Sequence, residues 1–160
     1  MRVIFLLLVL SLTANAEQCK QYTEEQLHVI NEAYSYGFPY DYGFTLSAIV
    51  IKESFLGDRI LRYNPNDPST GITQIQFDTL KHLSGLNHWD AIKEAETLIH
   101  DDYLSFKYAV EKLNTIQGTF WNKWKRYNGK GQKAKKYASD IQKIINNLKT
   151  CNTIPYSNFG

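Results

Sequence analysis

No glycine-rich phosphate loop occurs in the sequence, and no strand-like run precedes a place where one would sit, so the common nucleotide-binding signatures are excluded. Internal repeats and low-complexity tracts are absent as well, which removes solenoids and disordered linkers. There are only two cysteines, Cys19 and Cys151, and the four histidines, His28, His82, His88 and His100, are scattered. Neither set has zinc-ligand spacing, so no metal is expected and the histidines read as surface or capping residues. Charge of one sign is also lacking: 18 Lys and Arg face 16 Asp and Glu. Net charge therefore names no partner.

The one strongly apolar run is short and sits at the start. Met1-Arg2 gives a positive beginning, Val3 to Leu12 an apolar stretch, and Ala14-Asn15-Ala16 a small-residue end. Residues 1–16 read as a secretory signal peptide cut before Glu17, with an uncleaved anchor as the alternative. About 144 residues remain, enough for one domain with a sizeable core. Export suits a Cys19–Cys151 disulfide tying the two ends together, worth about 4 kcal/mol in the chain-entropy view. Basic residues concentrate late: Lys123 to Lys149 holds nine Lys and Arg against the single acid Asp140. That stretch either faces an anionic polymer or is a solvated helix face.

The mature chain, 17–160, reads as mainly α. Thr23 with Gln26 has capping-box form, and Leu27, Ile30, Ala33 and Tyr34 mark a first helix stopped by Gly37-Phe38-Pro39. A second, very apolar helix runs towards Gly57, and "YNPNDPSTG" predicts a loop after it. A short helix is predicted from Thr73 to Leu83 and a long one from Asn87 to Leu113, with Trp89 among its core positions. Another opens at Phe120-Trp121, "RYNGKG" reads as a turn, and Ala134 to Leu148 has clear helical periodicity. No strand pattern is visible.

In "LSAIVIKESFLG", Leu46, Ile49, Val50 and Glu53 share one helical stripe, which puts a carboxylate on a core-facing surface. An ionised carboxylate out of water is unfavourable unless it is paired, hydrogen-bonded or functional. Three pieces follow in order: Glu53-Ser54 at a helix end, Gly71-Ile72-Thr73-Gln74 after the polar loop, and Tyr127-Asn128-Gly129 before the last helix. With these motifs the stretch from Phe44 to Ile145 resembles the lysozyme-like soluble lytic transglycosylase family. The resemblance implies a lysozyme-like helical fold with a cleft, Glu53 as sole catalytic acid/base, Gln74 on the glycan, and Tyr127 and Asn128 on the wall beside the glutamate. Thr73 stands where that family usually has Met and Arg126 where it usually has a small residue, and the Glu53–Gln74 loop is somewhat long. These departures bear on substrate fit.

A general acid must hold its proton near neutral pH, and an apolar wall favours that form. Glu53 would protonate the leaving oxygen and then deprotonate the attacking hydroxyl. The resemblance implies that this nucleophile is the sugar's own 6-hydroxyl, giving a 1,6-anhydro product. Ordinary hydrolysis needs a second carboxylate, for which Asp58, Asp67 and Asp78 are the candidates. Tyr63, Trp121, Trp124 and Tyr127 are candidate sugar platforms, each with a core role as the alternative. Ser54 either supports the site or ends its helix, and Ser69 and Thr70 either bind an acetamido group or serve a turn. The expected partner is peptidoglycan, cleaved at the β-1,4 bond between N-acetylmuramic acid and N-acetylglucosamine, with a secretion or conjugation apparatus as a further partner. No cofactor, no nucleic acid and no membrane insertion after signal cleavage are expected, and the protein is placed in the periplasm or outside the cell. The competing readings are a peptidoglycan hydrolase of the same fold, a weakly active wall-binding accessory of a secretion apparatus, and a helical interaction protein with Glu53 salt-bridged in its core.

Overall fold

The computed structural model describes residues 19–57, the backbone of 61–62, and 68–154. The expected signal segment, Asp58, Tyr63 and Asp67 lie outside the described residues. Among the described residues there are seven α-helices and a small sheet. No described helix is long and apolar enough to cross a membrane.

Helix α1, Glu24–Gly37, begins with a reciprocal capping box in which Thr23 and Gln26 exchange two 3.2 Å bonds. A 3-10 turn at Phe38–Tyr40 and left-handed Asp41 lead into α2, Gly43–Ser54. Helix α2 is buried nearly all round, from Thr45 to Ile51, where the sequence suggested a single stripe. It packs between α1 and α7 as the centre of the core. Each buried Ile or Leu there contributes about 1.5–3 kcal/mol by leaving water. Two polar residues on this helix are satisfied: the Ser47 hydroxyl donates to Ile30 O at 2.9 Å, and Thr45 accepts from the buried Trp124 indole at 3.1 Å.

The region read as loop contains a three-stranded antiparallel sheet: β1 (Leu61–Arg62), β2 (Ser69–Thr70) and β3 (Ile75–Gln76). Ser69 pairs with Gln76 and Thr70 with Ile75. Strands of two residues leave no periodicity to read, which is why none was visible. Helix α3 runs Phe77–Ser84, starting later than predicted because Thr73–Gln76 belongs to the turn and to β3.

The predicted long helix from Asn87 to Leu113 is two helices: α4, His88–Thr97, and α5, Asp102–Thr115. Asn87 caps α4, accepting from Trp89 N and Asp90 N, while Asp101 caps α5, accepting from Leu104 N at 2.8 Å. Trp89, expected in the core, is 73% exposed in the first turn of α4. Helix α6, Phe120–Asn128, takes in Tyr127 and Asn128, which the sequence placed in a turn, and ends at Gly129. Helix α7, Gly131–Thr150, buries Ile141, Ile145 and Leu148 against the core, with Lys133, Lys135 and Lys136 on its solvent side. The disulfide joins Cys19, ahead of α1, to Cys151, just after α7, with Cα atoms 5.6 Å apart.

Candidate active site

Helix α2 brings Glu53 to its last turn and then stops abruptly. Phe55, Leu56 and Gly57 have successive φ values of 53°, 65° and 101°, a left-handed run that two of the three residues adopt only under constraint. The constraint includes Ser54, whose fully buried hydroxyl donates to Val50 O and accepts from Gly57 N, each at 3.1 Å. Ser54 therefore shapes the turn. It is not among the residues that line the cavity beside Glu53.

The facing wall is the β2–β3 turn. Gly71 O accepts from both the backbone and the side-chain nitrogen of Gln74, each at 3.0 Å, which holds Gln74 at φ 50°. The Thr73 hydroxyl donates to Ser105 O on α5, and the Tyr127 hydroxyl donates to Thr73 O at 2.9 Å. The turn is thus pinned to α5 and α6 at once. Thr70, a candidate for the acetamido group, is buried and donates to Ala95 O, so its hydroxyl is occupied by the fold.

These elements enclose a small, polar cavity of about 50 Å³ lined by Glu53, Ser69, Gln74, Gln76, Lys112, Tyr127 and Asn128. Of the residues singled out from the sequence, Glu53, Ser69, Gln74, Tyr127 and Asn128 meet there, delivered by α2, β2, the β2–β3 turn and α6. Glu53 is its only carboxylate among the described residues. Asp78 lies instead on a separate groove with His82 and Arg126. Trp124 is buried in the core and Trp121 is exposed elsewhere; neither lines the cavity.

Sequence reasoning missed three residues here. Gln76 carried no signal. Tyr137 was read as core on the α7 stripe, which it is, but its ring stacks on that of Tyr127 with centroids 6.4 Å apart and its buried hydroxyl faces Glu53. No partner meets strict hydrogen-bond geometry at that hydroxyl among the described residues, yet the Glu53 carboxyl is near enough to act on it. Burial first, then the Glu53 charge, holds both phenols well above their ordinary range, so both remain donors. Lys112 is the third. Only 8% exposed, it stands on the same α5 stripe as Ser105 and Ala109, with its ammonium 4.2 Å from the centre of the Tyr127 ring. A charge on a buried stripe is the signal that picked out Glu53, and the same signal was present for Lys112.

The sequence matches no known family model, no curated protein and no solved structure.

Proposed function

We propose that the protein is an exported lytic transglycosylase of lysozyme-like fold that cuts the β-1,4 bond between N-acetylmuramic acid and N-acetylglucosamine in peptidoglycan. The observation that supports this reading is the meeting of Glu53, Ser69, Gln74, Tyr127 and Asn128, from three separate stretches of sequence, around one polar cavity. Glu53 protonates the leaving glycosidic oxygen and, as carboxylate, then takes the proton of the sugar's 6-hydroxyl as that oxygen attacks the anomeric carbon. Gln74 and Ser69 offer hydrogen bonds to the glycan, and Tyr127 and Asn128 complete the wall. Glu53 is the one carboxylate among the described lining residues, and attack by the sugar's own 6-hydroxyl requires no second one.

A second reading has its own observation: Lys112 shares the cavity with Glu53, as a cation neutralising a structural carboxylate would. Digestion of purified peptidoglycan separates the two. Wild type is expected to release anhydro-ended muropeptides, seen by mass spectrometry, and Glu53→Gln to release none while keeping its fold. Products heavier by one water indicate a hydrolase, binding without release an accessory of a secretion or conjugation apparatus, and neither binding nor release a structural Glu53.

A further inference from the structure

At the far end of α2 from Glu53 a second opening, of about 320 Å³, lies between the α1–α2 connection, the start of α6 and the second half of α7. Gly43 and Glu53 begin and nearly end that helix, which separates the two openings by about 15 Å along its axis. The openings have no described lining residue in common. The floor of the second is buried and fixed: the Trp124 indole donates to Thr45 Oγ1 at 3.1 Å, and Tyr34 meets Phe44 edge-on with ring centroids 5.0 Å apart. Two aromatic rings stand exposed on its rim, Phe38 at 51% and Phe120 at 43%. Both are held in place. Phe38 packs on Tyr34 at 5.8 Å, and Phe120 on Tyr42 at 6.0 Å and on Trp124 at 6.1 Å. The polar groups of the lining include a carboxylate, an amide and an ammonium, from Asp41, Gln142 and Lys149. Asp41 is set by a left-handed φ of 62° with its N–H donating to Phe38 O, and the Lys149 ammonium lies 4.8 Å from the centre of the Phe44 ring.

This combination selects among occupants. A lipid chain or an apolar helix would strip water from Asp41 and Lys149 without replacing its hydrogen bonds. Charges of both signs give an anionic polymer no advantage. A pyranose ring suits both parts of the lining, because its C–H faces stack on flanking aromatic rings while hydroxyl and acetamido groups at its edge bond to carboxylate, amide and ammonium. We propose that this opening is a second glycan-binding site, which takes an amino-sugar unit between Phe38 and Phe120 and binds it without reacting. The inference rests on peptidoglycan as the substrate class and deepens that reading: held on a strand here, the protein meets the bonds of the wall at a raised effective concentration.

The test titrates isotope-labelled wild type with the β-1,4-linked N-acetylglucosamine tetrasaccharide and follows backbone and indole resonances by NMR. Two groups of saturable shifts are expected, one at Ser69, Gln74 and Asn128 around Glu53, the other at Phe38, Asp41, Phe120 and the Trp124 indole. Shifts in the first group alone overturn the inference and leave the transglycosylase reading standing. Shifts in the second group alone support this site and count against the Glu53 cavity as the place of cleavage. No shift in either removes both. Phe38→Ala combined with Phe120→Ala is expected to abolish the second group and to weaken co-sedimentation with purified insoluble peptidoglycan about tenfold. Unchanged co-sedimentation overturns the inference too, and if the double variant does not fold, the wild-type shifts decide alone.

Discussion

Gly71 shows how closely the site depends on single atoms. Its φ of 75° is one that L residues rarely adopt, and a Cβ placed on it would lie 2.1 Å from Ser105 Oγ and 2.8 Å from Leu98 O. Neither can yield cheaply: Ser105 is fully buried on α5, and Leu98 O is backbone. Gly71→Ala is therefore expected to destabilise by about 2–4 kcal/mol, combining left-handed strain with overpacking. Chemical denaturation of the variant against wild type measures this. Because Gly71 O also anchors Gln74, the proposed cleavage should fall further than the fraction unfolded explains, whereas a variant losing stability alone would detach the turn from the site. The sequence singled out this glycine as part of a Gly-x-x-Gln motif. The clash that makes it necessary lies on α5 and could not be read locally.

At the level of elements, what was legible had local causes. The Thr23–Gln26 capping box, the stop at Gly37-Phe38-Pro39 and the α7 periodicity are all written within one or two helical turns. The break between α4 and α5 was written too, as Asp101 ahead of an apolar repeat, but the periodicity on either side of it masked the cap. Strands of two residues and the buried partnership of Lys112, Tyr127 and Tyr137 were not legible, because they join elements far apart in the chain. The link between α2 and α7 is of this kind. Asp140 accepts from Lys52 at 2.8 Å and from Lys136 at 3.0 Å, and the bond from Lys52 is the chief reason its carboxyl sits below the ordinary value of 3.8. A depressed folded-state pKa stabilises fully above the unfolded value and is lost as pH falls through the lower, folded one. Acid unfolding followed by circular dichroism should accordingly show part of its slope below about pH 4 disappear in Asp140→Asn. With both lysines partly exposed, the loss at neutral pH should stay small, and high salt should shrink it.

For the molecule as a whole, the disulfide and the site answer to different constraints. Cys19 and Cys151 are separated by 132 residues, so their bond restricts nearly the entire described chain in the unfolded state, worth about 4–5 kcal/mol in the chain-entropy model. A domain of this size is typically stable by about 5–15 kcal/mol, so the bond is a large share of the total. The Cys19→Ser, Cys151→Ser pair is expected to lower the thermal midpoint by roughly 10–20 °C, measured by calorimetry, with reductant producing a similar shift in wild type. The bonds that define the cavity run elsewhere: Tyr127 to Thr73, Thr73 to Ser105, Gln74 to Gly71, and Ser54 within its own turn. None passes through the segment before α1 or the end of α7. On the proposed transglycosylase reading, the double variant should therefore cleave peptidoglycan at close to the wild-type rate well below its lowered midpoint. A loss of cleavage while the fold remains intact would mean that the joined ends help to hold α7, and with it Tyr137, against Glu53.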